Sequence, residues 1–155
     1  MSKAIKTKGS LERRDVQLTF GETDTLSTSY GPFGKTASYT DGTRINTGDT
    51  DLEGMGVAVR CTTGITASGS PTAITVSVKL SGSADNGSNW SVIGEWSADS
   101  SALGTTAEAL VFPIPRGYGD LPLLKLEAKV TFTGGTTPAV TAGKLYGWID
   151  AYGAE

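Results

Sequence analysis

The sequence predicts an all-β fold, a single antiparallel β-sandwich or jelly roll of about eight strands preceded by an extended N-terminal arm. Three observations predict it. Apolar residues recur at every second position along most of the chain, clusters of turn formers separate these runs, and no stretch carries a helical apolar stripe. With 155 residues the chain is long enough for one domain with a sizeable core.

The arm is residues 1–14 and the sandwich residues 15–155. The arm carries Lys3, Lys6, Lys8, Arg13 and Arg14 against Glu12, a formal charge of +4, which leaves −7 for the body. It reads either as a solvated tail or as a contact for an acidic protein surface. Five charges without interleaved aromatics are a poor phosphate footprint, and an acidic body repels a duplex, so no nucleic-acid partner is expected. The first residues, MSKAIKTKGS, lack the apolar core of a signal peptide, and no run of about 18 apolar residues follows. Synthesis in the cytoplasm with no membrane partner is therefore expected.

The strands follow in order. VQLTF (16–20) opens the body, and short strands fit the Tyr30–Tyr39 and Thr43–Thr47 regions. In GMGVAVRCT (54–62), Met55, Val57, Val59 and Cys61 fall in phase, which makes the one cysteine a buried strand residue. ITVSVKL sets Ile74, Val76, Val78 and Leu80 against Thr75, Ser77 and Lys79, and LKLEAKVTF alternates in the same way from Leu124 to Phe132. These are half-buried antiparallel strands. NWSVIGEWS (89–97), EALVFPI (108–114) and AGKLYGWIDAY (142–152) alternate less cleanly. Between them lie YGPFG, TDG, TGDTD, SGSP, ADNGSN, RGYGD and TGGTTP, so the 21 glycines supply turns.

Chemistry is scarce. The chain has no histidine, which excludes Ser-His-Asp, Cys-His and His-metal sites together. SADNGSNW (83–90) matches the Ser-x-Asp-x-Gly-x-x-Trp box repeated through sialidase propellers, but a single copy in a chain too short for a propeller reads as a hairpin turn around Asp85 with a core Trp90. Asp49, Asp51 and Glu53 alternate in GDTDLE and could offer oxygen ligands to calcium, although a solvated loop is the preferred reading. Trp90, Trp96, Tyr146, Trp148 and Tyr152 read as core or subunit interface ahead of a sugar platform, with Trp90, Val92 and Trp96 sharing one strand face. Phe33, Leu121, Leu123 and Leu124 look too many to bury in one small sandwich, which marks Phe33, Leu121 and Leu123 as candidate subunit-interface residues. Neither an enzyme activity nor a cofactor, metal or small-molecule substrate is expected.

The segment PIPRGYGDLPLLKLEAKVTFTGGTTPAVTAGKLYGWIDAY (113–152) combines a proline-flanked PRG turn, a long alternating strand, a Thr/Pro-rich loop and a final TAGKLYGWI strand. With YGPFG upstream and the strand-turn-strand unit at 72–97, it resembles the capsid cement, or decoration, proteins of tailed bacteriophages. The resemblance spans roughly residues 30–152 and rests on the order of strands and turns. It implies an eight-stranded jelly roll, a homotrimer, and attachment to the major capsid protein on the outer surface of the virion, where it holds neighbouring capsid subunits together. The arm departs from the shorter starts of that family. Its Lys3, Lys6, Lys8, Arg13 and Arg14 would face acidic capsid surface while Ile5 and Leu11 plug apolar grooves. The alternative reading is a carbohydrate-binding or adhesin-like module, or another nonenzymatic tail or fibre component.

Overall fold

The computed structural model describes residues 5–7, 19–34, 44–46, 55–85, 87–103, 109–115 and 123–151. They form ten strands: β1 (Ile5–Thr7), β2 (Thr19–Glu22), β3 (Gly31–Pro32), β4 (Arg44–Asn46), β5 (Met55–Ser68), β6 (Ala73–Ser83), β7 (Ser91–Asp99), β8 (Ala109–Pro113), β9 (Leu123–Thr133) and β10 (Ala139–Ala151). A 3-10 turn at Ser100–Ala102 is the one helical piece among the described residues. Its first turn is capped by the Asp99 carboxylate, which accepts from the Ser101 amide at 2.9 Å.

Two antiparallel sheets face each other. One runs β1-β8-β5-β10-β2 and the other β3-β9-β6-β7, with β4 also on β9. Because β3 pairs at Glu127–Ala128 and β4 at Leu123–Lys125, they occupy successive stretches of one β9 edge and act as a single edge strand in two pieces. With β1 set aside, the pairs then nest: β2 with β10, β3/β4 with β9, β5 with β8, and β6 with β7. This is a long hairpin rolled up on itself, closed by the β5–β10 and β6–β9 ladders, and so an eight-stranded jelly roll.

The alternation read from the sequence sets which side of each strand faces the core. Val76, Val78 and Leu80 of β6 and Leu124, Leu126, Ala128 and Val130 of β9 point inward against Val57, Val59, Cys61, Leu145 and Ile149 of the opposing sheet. Leu26, Leu103 and Ile114 close the space from the connections. Each large side chain so buried contributes about 1.5–3 kcal/mol.

Strand β7 departs from the expected parity. Leu80 pairs with Gly94 but Ser81 with Val92, so β7 carries one extra residue, Ile93, at a bulge. The bulge reverses which side chains face in. Trp96 turns inward and stacks on Phe112 with ring centroids 5.7 Å apart, whereas Val92 is 50% exposed. The common face expected for Trp90, Val92 and Trp96 does not survive this insertion.

At one end of the sandwich the β5–β6 and β9–β10 turns interlock. The Thr136 amide donates to the Gly69 carbonyl and the Thr72 amide to the Thr133 carbonyl, both at 2.8 Å. Gly69 and Gly135 have φ of 80° and 84°, and a Cβ on either would lie 2.4 or 2.6 Å from a carbonyl oxygen of the other turn. Only glycine satisfies both requirements at these two positions.

Candidate functional site

The Asp85 turn is built for shape. The Asp85 carboxylate accepts from the Asn89 amide at 2.8 Å, from Asn89 Nδ2 at 2.7 Å and from Ser83 Oγ at 2.8 Å, while the Gly87 amide donates to Ser83 Oγ at 2.9 Å. These donors, the Asn89 side chain foremost, hold the carboxyl down to about 2. An acid so depressed and so fully engaged is a turn clasp and a poor proton donor near neutrality. Trp90, expected in the core, instead lies on the outward side of the second sheet with Lys125 Nζ 4.7 Å from its ring centroid.

Cys61 is 1% exposed, and burial pushes its thiol up to about 11, the opposite of what a nucleophile needs. Asp49, Asp51 and Glu53 lie outside the described residues. Among the described residues no group of three or more potential ligand side chains converges on a common point. A shallow recess between Thr23–Ser27, Gly31, Pro32 and Ala128 holds about 100 Å³, well below the roughly 300–1,000 Å³ of small-molecule sites.

The residues expected to meet partners are placed as follows. Ile5 and Lys6 belong to β1, whose backbone pairs with β8 at Ile5–Val111, Lys6–Leu110 and Thr7–Ala109. Part of the expected arm is thus an edge strand of the first sheet, because β8 would otherwise present a row of open N–H and C=O groups. Lys3, Lys8, Leu11, Arg13, Arg14 and Leu121 lie outside the described residues. Phe33 and Leu123 are 0% and 3% exposed inside the sandwich, and Leu124 is 0%. The core accommodates all three because the chain connections widen it, so Phe33 and Leu123 offer no surface to a subunit contact.

Among the described residues, the outward face of the second sheet is the most developed polar surface. Lys79 and Ser77 of β6, Lys125, Glu127 and Lys129 of β9, and Glu95 and Ser97 of β7 occupy matched register positions. Tyr30 lies across them. Its hydroxyl donates to Glu95 Oε2 at 2.9 Å, and Lys79 Nζ and Lys129 Nζ sit 4.2 and 4.8 Å from its ring centroid. Burial, with the Glu95 carboxylate behind it, pushes the phenol up to about 12. Lys79 Nζ also lies 3.7 Å from Glu127, and Ser77 Oγ is 3.0 Å from Ser97 Oγ. This face offers ammonium and hydroxyl groups held in register by an aromatic brace, suited to hydrogen bonds and ion pairs across a flat contact. Sequence reasoning missed the brace, since Tyr30 reaches it from the connection just before β3, where no alternation marks a face.

The outward face of the first sheet is the reverse. Ala58, Ala109, Val111 and Trp148 form a second buried apolar cluster with Tyr146 packed against it. Arg60 stands 5.7 Å from the Tyr146 ring centroid, and Trp148 Nε1 donates to Asp150 Oδ2 at 3.1 Å. The signal for this burial was present in the unbroken runs GVAV and ALVF, since strands covered on both sides lose their alternation. No protein-family model matches the chain, and no curated protein matches it either.

Proposed function

We propose that the protein is a nonenzymatic virion component that decorates the outer surface of a tailed-phage capsid and bridges neighbouring major capsid subunits. The observation that carries this reading is a jelly roll whose second sheet turns an ordered, donor-rich face outward. Lys79, Lys125 and Lys129 stand on that face, in a chain whose carboxyl-rich remainder makes it acidic overall. Support also comes from two groups that the sequence singles out, since Asp85 clasps a turn and the Cys61 thiol is enclosed. The resemblance of residues 30–152 to decoration proteins supplies the partner, a capsid lattice, and the trimeric state. The carbohydrate-binding alternative is less well supported, because lysine ammonium groups already pack on the Tyr30 and Trp90 rings that a sugar would stack upon.

Co-sedimentation with undecorated capsids tests the proposal. Saturable binding at a fixed ratio to the major capsid protein, weakened by salt, is the expected result. Absence of binding to capsids, or preferential retention on a glycan array, would overturn it. Size-exclusion chromatography with light scattering reports the trimer.

A further inference from the structure

The charged groups on the outward side of the second sheet fall into two sets. Lys125, Glu127 and Lys129 alternate along β9, and Glu127 pairs across the ladder with Lys79 of β6, which pairs in turn with Glu95 of β7. The Lys79 ammonium lies 3.7 Å from the Glu127 carboxylate, and both side chains are largely covered, at 23% and 19% exposure. Glu95 accepts from the Tyr30 hydroxyl at 2.9 Å, and Asp99, farther along β7, caps the 3-10 turn through the Ser101 amide at 2.9 Å. Each of these three carboxylates thus has a donor within the protein.

Lys125 and Lys129 form the other set. The Lys125 ammonium sits 4.7 Å from the Trp90 ring centroid and the Lys129 ammonium 4.8 Å from that of Tyr30, and among the described residues neither is in an ion pair. A ring face attracts a cation but supplies no acceptor oxygen, so the ammonium donors stay open to a partner. The ring also fixes where each ammonium stands, which lowers the freedom lost when a partner arrives. The β6–β9 ladder runs from Ala73 to Ser83 without a register shift, so four residues on β9 separate the two cations by about 13–14 Å. A phosphate backbone carries a charge every few ångströms and would meet Glu127 between the lysines and Glu95 beside them. Two discrete carboxylates avoid that repulsion. Ser77 and Ser97, level with Lys129, add hydroxyls to the contact.

We propose that Lys125 and Lys129 are a pair of contact cations, and that their partner is an acidic protein surface presenting two carboxylates about 13–14 Å apart. This pairing rests on the reading that the second sheet meets a protein lattice, and it names the groups that make the contact. Lys79 stays inside the face, matched by Glu127.

Undecorated capsids are the first probe, in co-sedimentation with the full chain and with K125E, K129E and K144E. Lys144 lies on β10 in the other sheet, so K144E changes the net charge equally and leaves this face intact. K125Q and K129Q remove the charge but keep a long stem beside the ring, and melting reports whether each variant is folded. Capsid affinity should fall roughly three- to tenfold in K125E and K129E, less in the glutamine variants, and hardly at all in K144E. Unchanged affinity in the folded Lys125 and Lys129 variants, or an equal loss in K144E, would overturn the lysine pair and leave capsid decoration standing. If capsids do not bind the parent protein, decoration falls, and the lysine pair is then decided by amide shifts of the full chain on adding poly-L-glutamate or duplex DNA. Shifts confined to β6, β7 and β9 with polyglutamate, and abolished in K125E/K129E, would uphold the pair. No such shifts, or a stronger response to DNA at the same residues, would overturn it.

Discussion

Replacing Gly147 with alanine tests how tightly the two sheets meet. Gly147 faces the core between Leu145 and Ile149, and a methyl there would lie 2.8 Å from Leu126 Cδ2 and 2.9 and 3.1 Å from two Phe33 ring carbons. Ordinary carbon contacts are about 3.5–4.0 Å, so these neighbours must retreat by roughly half an ångström or more. Phe33 and Leu126 are both fully buried and have little room to move. Overpacking of this kind costs about 1–3 kcal/mol, offset in part by the ~0.4–1 kcal/mol that alanine gains by restricting the unfolded chain. The net expectation is a loss of about 1–2 kcal/mol, a fall in Tm of roughly 2–8 °C for a domain of this size. Urea titration and calorimetry measure it. Phe33→Leu removes the clashing ring, so the double variant should be less destabilised than the sum of the singles by about 0.5 kcal/mol or more. A G147A protein as stable as the parent, or strict additivity with F33L, would refute the packing argument.

Asp85 has its carboxyl lowered from the ordinary 3.8 to about 2, so its stabilising effect is complete above about pH 4 and is lost as the pH falls towards 2. D85N should therefore flatten the fall in Tm over that interval, and an unchanged acid slope would contradict the clasp. The Cys61 thiol, raised to about 11 by burial, should react with Ellman's reagent at neutral pH only as fast as the chain opens, so rapid stoichiometric labelling of native protein would show the site to be open. Gly69→Ala forces a side chain into a left-handed conformation and against the Thr136 carbonyl, at a cost of about 1–2 kcal/mol from the backbone alone. Its mark should be faster amide exchange in residues 69–72 and 134–138, and unaltered exchange there would show that the interlocked turns are not tight.

The parts of the fold legible in the sequence are those where one side of a strand meets the core and the other meets water. β6 and β9 fulfil that condition along most of their length, and their inward residues were identified one by one. The reading failed where a local insertion or a second covering layer intervened. Ile93 at the β7 bulge reverses the phase between Trp90 and Trp96, and a bulge leaves no mark in residue type. On β5 and β8 the runs GVAV and ALVF are buried on both sides, so counting alternate residues hid Ala58 and Val111. Phe33 and Leu123 were placed outside because a two-layer estimate omits Leu26, Leu103 and Ile114, which enlarge the core from the connections. The Tyr30 brace depends on contacts 49, 65 and 99 residues away in sequence, which no local pattern encodes.

The two outward faces differ in what they can offer a partner, and the difference bears on how a decorating role would operate. The first sheet turns out an apolar row that is already enclosed, so a partner reaching it would have to displace whatever covers Trp148 and would gain little net burial. The second sheet turns out lysines, carboxylates and serines in matched register, and among the described residues only Val92 is a large exposed apolar group. Contacts of that composition gain specificity and rate of encounter from charge complementarity more than affinity from area. A protein binding through such a face at one site would hold weakly, and firm attachment would come from several copies binding together across a repeating surface. The symmetric lattice of a capsid provides that repetition, whereas an isolated soluble ligand does not. The polar character of the second sheet therefore favours a multivalent surface as the partner over a single small molecule.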